Sequence, residues 1–350
     1  MKQLRLLTGL LSILVAAGCH QQKTNTGIIV GRGQMPNITA DSRHRVHLVY
    51  GNADSILYSV SADGGNTFSP PGLVAVLPGL AASHMRGPQI TASDSGLVVL
   101  AVTKPGNIYA YTKGNDGGWT PGKKINDADT VAKEGLMAAG SDHDLVFTAW
   151  LDLRDGHNKI MGAKSLDGGK TWSQNNLVYA SPDTTVCECC KPSVIVKDKH
   201  IYIMFRNWLK GNRDMYLIHS ANGGSSFEEA QKLGAGSWAL EGCPMDGGGI
   251  IINSKGLPET VWRRQKTIYA CTPGQAETAI GEGRGCTLTN ADGKNLYAWT
   301  SDGNIIISKP GGLSLNLGKG QLPLLKNNGN GQVICVWENE KEIYAAAVNL

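Results

Sequence analysis

The sequence predicts an all-β fold, a β-propeller of four-stranded antiparallel blades. Three observations carry this expectation. One turn pattern, S-x-D-G-G-x-T-W/F, recurs in a single register. Two short apolar, β-branched or aromatic runs precede each copy, and a further run that opens near Gly or Pro precedes each pair. Glycine supplies 45 of 350 residues while apolar residues reach 41%. That balance suits many short strands joined by tight turns, and not a disordered chain.

The turn pattern reads Ser61-Ala62-Asp63-Gly64-Gly65-Asn66-Thr67-Phe68, then Ser165-Leu166-Asp167-Gly168-Gly169-Lys170-Thr171-Trp172, then Ser220-Ala221-Asn222-Gly223-Gly224-Ser225-Ser226-Phe227. A worn copy stands at Asn115-Asp116-Gly117-Gly118-Trp119. The physics is that of a hairpin turn. The Asp or Asn side chain caps backbone N–H groups, the glycines accept positive φ, and the aromatic ring packs back between blades.

The paired runs before the turns are residues 46–50 with 56–60, 145–151 with 160–163, and 201–205 with 215–219. The run before each pair is the innermost strand, A, with B, C and D following outward. Its openings are Met35-Pro36, Gly87-Pro88, Gly135-Leu136, Lys191-Pro192, Cys243-Pro244, Gly285-Cys286 and Leu322-Pro323. These make seven units. The last has no D strand after it, and an orphan strand at 27–31 precedes the first. Pairing that N-terminal strand into the last blade removes a free edge. Seven blades are therefore preferred. Six remain the alternative, because the sixth and seventh units are short and lack the turn pattern.

The turns resemble the Asp-box, or BNR, repeat of the sialidase superfamily. The resemblance covers most of residues 35 to 232. It implies a propeller with three arginines gripping a sialic acid carboxylate, an aspartate acid/base, and a tyrosine nucleophile paired with a glutamate. In that superfamily the first arginine opens the first A strand within R-I-P. Here the stretch reads Gln34-Met35-Pro36-Asn37, without arginine. Arg86 opens the second A strand instead, and Tyr269 follows a B–C link.

At the N-terminus, Lys2 and Arg5 precede an apolar stretch over residues 6–17. Its length suits a signal peptide and falls short of the roughly 20 residues of a membrane span. It ends in Val15-Ala16-Ala17-Gly18-Cys19, which looks like a bacterial lipobox with Ala16 where leucine is usual. The expected organisation is a lipoprotein signal peptide at 1–18, a tether at 19–26 that starts with lipidated Cys19, and one propeller domain at 27–350. The chain would then sit in the bacterial cell envelope, held to a lipid bilayer, facing the periplasm or the exterior. An ordinary signal peptide containing a cysteine is the alternative.

Strand direction alternates within a blade, so the C–D turns share one face with the A–B turns. The D–A and B–C connections share the other, where they ring the channel mouth. The D–A links hold Arg86, Glu134, Glu241 and the segment Cys187-Glu188-Cys189-Cys190. Asp246 follows Glu241 at the fifth A strand. The B–C links are expected to hold Asp152, Arg154, Arg206, Arg213 and Arg263. Loops on a rigid scaffold commonly carry function. Glu134, Glu241 and Asp246 are the candidate catalytic acids. Arg86, Asp152, Arg154, Arg206, Arg213 and Arg263 are the candidate ligand contacts, because a guanidinium offers a planar two-pronged donor set to carboxylates. The competing reading is a ring of charges that pair with one another and hold blades together.

Besides Cys19 there are seven cysteines. Cys187, Cys189, Cys190, Cys243 and Cys286 fall at openings of successive A strands. In an oxidising compartment they are expected to form disulfides, with Cys190–Cys243 as a staple between blades. The alternative is a thiolate site for a soft metal, copper or zinc, with His84, Met85 and Met245 as extra ligands; no cofactor is required. Cys271 falls in a C strand, and Cys335 reads as a buried core thiol.

A net charge of +4 with no basic run of five residues is too weak to argue for nucleic acid, and no nucleic-acid partner is expected. The expected function is recognition of a glycan or other anionic ligand at the mouth by a monomeric propeller, with glycoside hydrolysis as the enzymatic option. The alternatives are a non-enzymatic propeller that binds a partner or metal through its cysteines, and a purely structural scaffold.

Overall fold

Strand Val46–Asn52 buries six of its seven residues, and Leu145–Asp152 seven of eight. Such runs cannot alternate between core and water, so both faces of these sheets are covered. A propeller does this by packing each blade between two others. The structure, a computed structural model, describes residues 27–114, 117–308 and 314–348. Cys19 and the segments expected to be signal peptide and tether fall outside the described residues, as do Asn115 and Asp116 of the worn turn.

Seven four-stranded antiparallel sheets are present among the described residues. The first six blades span residues 34–76, 89–124, 137–179, 193–232, 248–282 and 284–319. The seventh takes three strands from 321–348 and its outermost from Ile28–Arg32. Ile28 pairs with Ala345 and Arg32 with Glu342. Seven blades and the predicted ring closure are thus both observed. Val30, Ile38, Leu48 and Tyr50 pack against Ile334, Val336 and Ile343 in the seam between the first and last blades.

The repeated turns behave as their chemistry requires. Ser61 Oγ donates to Asp63 Oδ1 at 2.8 Å and accepts from the Gly65 N–H at 2.8 Å. Asp63 also accepts from Thr67 N–H at 2.9 Å and Thr67 Oγ1 at 2.6 Å, and these bonds hold its carboxyl at about 2. Asp167 with Thr171, and Asn222 with Ser226, repeat the arrangement. Gly168 N–H donates to the Asp144 carbonyl and Gly223 N–H to that of Lys199. Both acceptors are in A–B turns, so these turns share the face opposite the D–A links. Phe227 meets Phe147 of the preceding blade edge-on at 5.8 Å.

One expectation needs correction. Asp152 ends strand Leu145–Asp152, and Arg206 and Arg213 are not in a B–C link. The two arginines lie on strands His200–Leu209 and Asn212–Ser220, joined only by Lys210-Gly211. Both turn residues have positive φ, 52° and 74°, the geometry of a two-residue hairpin that lets pairing run almost to the tip. Arg263 likewise lies on a strand, as the last but one residue of Pro258–Arg264.

Candidate functional site

The seven A strands surround a channel of about 530 Å³. At its mouth the chain turns sharply into six of the seven inner strands. Met35, Met85, Met245 and Leu322 hold φ of 56°, 70°, 45° and 53°, and Gly135 and Gly285 hold 66° and 61° at the matching places. A left-handed non-glycine residue costs of order 1 kcal/mol, so its repetition marks an architectural requirement of the entry turn. Inside the mouth, Lys191 Nζ donates to Gln89 Oε1 at 2.9 Å, joining the fourth blade to the second. Asn37 Nδ2 donates to the same oxygen at 3.2 Å. Burial pulls the Lys191 ammonium down to about 8.

The mouth arginines do not converge as one ligand grip. Arg206 is buried and donates to the carbonyls of Arg213 and Arg263, each at 2.8 Å. Arg263 pairs with Asp246 and donates to the Pro244 and Gln265 carbonyls. Both guanidinium groups lie 5.3 Å from the Trp238 ring. Arg154 is tied to Asp152, Asp127 and Asn175 between the second and third blades. Asp152 is fully buried and also accepts from the Trp150 indole at 2.8 Å. Arg213 stacks on Trp208 at 4.4 Å and meets Glu188 Oε2 at 3.2 Å. The reading as a blade-joining charge network therefore holds for Asp152, Arg154, Arg206 and Arg263.

Arg86 differs. Its side chain is 26% exposed, against 4% for Arg213. It donates from Nε to the Glu134 carbonyl at 2.6 Å and from Nη1 to the His84 carbonyl at 3.1 Å. Nη2 reaches the Glu134 carboxylate only loosely, at 3.7 Å. Burial pushes the Glu134 carboxyl up from its ordinary value, Arg86 opposes this, Glu188 adds to it, and Asn158 opposes it by a hydrogen bond. Of the other candidate acids, Asp246 is fully buried and accepts from Arg263, Gly247 and Gly285. It holds the fifth and sixth blade openings together. Glu241 is exposed at the rim. Tyr269 lies under the Arg264 guanidinium at 4.2 Å, which covers the ring.

The disulfide joins Cys189, not Cys190, to Cys243. The two blades are stapled as expected, but through the neighbouring residue. Cys190 turns inward and is buried, as is Cys187, while Cys189 is half-buried and Cys243 exposed. In C-C, adjacent side chains point apart, so only one can face the staple. The sulfurs of Cys187, Cys189 and Cys190 lie within 4.8 Å of one another. With Cys189 in a disulfide and Arg213 Nη1 at 3.2 Å from Cys187 Sγ, this group fits an anion-stabilising sulfur site better than a metal cation site. Cys286 is a free, buried thiol on the channel wall. Cys271 and Cys335 are free and buried.

No protein-family model matches the chain, and no curated protein matches its sequence. Solved structures do. A lectin from Burkholderia pseudomallei is similar at TM-score 0.66 and 10% identity, over 91% of this chain and 96% of that one. An α-L-arabinofuranosidase from Fusarium graminearum gives 0.54 and 11%, over 93% and 97%. A leech intramolecular trans-sialidase gives 0.50 and 12%, over 94% and 69%. The chain has a sialidase-like propeller fold.

On that fold, Lys191, Gln89, Asn37 and Glu188 are the site residues that sequence reasoning did not single out. A signal existed for three of them. Asn37, Gln89 and Lys191 are each polar and directly adjoin Pro at an A-strand opening, where a side chain turns into the channel.

Proposed function

We propose that the protein recognises an acidic glycan at the mouth sector formed by Arg86, Glu134 and Glu188, as a monomer held to a bacterial membrane by lipid on Cys19. The observation that carries this reading is the loosely paired Arg86 guanidinium, next in sequence to Met85 of the channel wall. The guanidinium's 3.7 Å contact to Glu134 leaves Nη2 without a close partner, a charged donor that a sugar carboxylate can take. A lectin, an arabinofuranosidase and a trans-sialidase with the same fold support the ligand class. Lys2, Arg5 and the apolar run before Cys19 support the anchor.

The test is titration calorimetry of the purified mature protein with uronate- or sialate-bearing oligosaccharides and their neutral counterparts. Binding of the acidic set is expected, weakened at least about tenfold in Arg86→Ala. A flat titration with every acidic glycan would sink the reading. Mass spectrometry of the peptide that starts at Cys19 tests the anchor separately, since an unlipidated cysteine there removes it.

One observation favours a second reading, glycoside hydrolysis. Glu134 is held toward its protonated form, with Glu188 as a neighbouring carboxylate. That is the division of labour between an acid and a base or nucleophile. Release of aryl alcohol from aryl glycosides, lost in Glu134→Gln while binding persists, is the expected outcome under that reading.

A further inference from the structure

The D–A link into the fourth blade carries cysteines in two redox states. Cys187 and Cys190 are free thiols at C-x-x-C spacing, with their sulfurs 3.2 Å apart. Cys189, between them, is oxidised to Cys243 of the next link. Cys187 Sγ is 3.8 Å from Cys189 Sγ. A thiol thus stands at van der Waals distance from a disulfide sulfur, with a second thiol behind it.

The surroundings favour an anionic sulfur. Arg213 Nη1 donates to Cys187 Sγ at 3.2 Å. The Arg206 charge also acts on it, and Arg206 Nε is buried with no hydrogen-bond partner. The hydrogen bond shared with Cys190 and these two cations hold the Cys187 thiol below its usual value, while burial keeps Cys190 well above its own. One partner ready to attack and one kept protonated is the arrangement of an exchanging dithiol.

We propose that Cys187, Cys189, Cys190 and Cys243 form one thiol–disulfide exchange centre, in which the bond between the blades is traded for a Cys187–Cys190 bond and an exposed thiol at Cys243. The Cys187 thiolate attacks Cys189 Sγ, the Cys187–Cys189 bond forms, and the Cys189–Cys243 bond breaks with its electron pair leaving on Cys243. The Cys190 thiolate then attacks Cys187 Sγ and expels Cys189. Two protons leave Cys187 and Cys190, and two are taken up by Cys189 and Cys243. One disulfide and two thiols stand on each side, so no external oxidant or reductant takes part. The product unlatches the fourth blade from the fifth and offers a reactive thiol to disulfide-bearing or thiol-reactive ligands at the mouth.

The experiment is alkylation of the purified, folded mature protein with iodoacetamide, without reductant, across neutral to mildly alkaline pH, followed by peptide mass spectrometry. Label on Cys243 is expected to accumulate in step with the Cys187–Cys190 disulfide. Cys187→Ala should slow that labelling at least about tenfold, whereas Cys190→Ala should still label Cys243 but leave a Cys187–Cys189 disulfide in place of Cys187–Cys190. Arg213→Met keeps all four sulfurs in place. It should slow labelling and move its pH midpoint upward, a readout that a merely structural arginine would not shift. Should either alanine variant fail to fold, this third variant still decides. The proposal is overturned if Cys243 stays unlabelled without reductant although the reduced protein labels readily. It is equally overturned if the rate and midpoint are unchanged in Arg213→Met.

Discussion

The Arg206 guanidinium donates through Nη2 to the main-chain carbonyl of Arg263, 2.8 Å away, and so ties the fourth blade to the fifth. Its Nη1 satisfies the Arg213 carbonyl at the same distance, 2.8 Å. Arg206→Met leaves two carbonyls without that donor in a buried seam. We expect a loss of about 2–4 kcal/mol in urea unfolding. Arg206→Lys should not restore it, because an ammonium lacks the planar fork that spans both acceptors.

The repeated turns should matter to stability and not to ligand binding. Asp63→Ala or Asp167→Ala removes an acceptor shared by a backbone N–H and two hydroxyls. Each is expected to cost about 1–2 kcal/mol by thermal or urea unfolding. Glycan affinity should stay as in the parent, since these turns occupy the opposite face. A tenfold change in affinity would contradict that placement.

Acid should release a contact between the fourth and fifth blades. Burial alone would raise the Glu277 carboxyl. The Ala235 and Gly236 N–H groups and Arg264 outweigh it and hold the carboxyl at about 2. The folded-state value lies below the ordinary glutamate value of 4.5. Its stabilisation is therefore complete above that pH and disappears as pH falls toward about 2. Glu277→Gln should remove about 2–3 kcal/mol at neutral pH and flatten this part of the acid-unfolding curve.

Deleting the chain up to Arg32 should strip the last blade of its outer strand. It uncovers the edge of Glu342–Val348 and takes Val30 from the seam. We expect a loss of about 3–5 kcal/mol and concentration-dependent association in light scattering. A truncated protein that melts at the parental temperature would contradict the role given to this strand.

The ring was readable because its signals are periodic. Turn chemistry repeats at Ser61, Ser165 and Ser220, and Pro or Gly recurs at the A-strand openings. Alternation of strand direction then placed Arg86 and Cys189 on the face opposite Asp63. The site was less readable because it depends on side-chain direction. Cys189 and Cys190 are neighbours in sequence, yet one faces Cys243 and the other the interior. Arg86 and Arg206 are the same residue type, yet one edge is open to solvent and the other lies in a seam. A two-residue hairpin at Lys210-Gly211 decided where Arg206 and Arg213 sit, and sequence reading had allowed a longer loop.

Ile28 and Ala345 stand opposite each other on paired strands although almost the whole polypeptide lies between them. The strand Glu342–Val348 must therefore be in place before the first strand has anywhere to dock. Six sheets can form without it, but the toroid stays unsealed until this pairing is made. Folding speed should then be set by this last, most sequence-distant pairing.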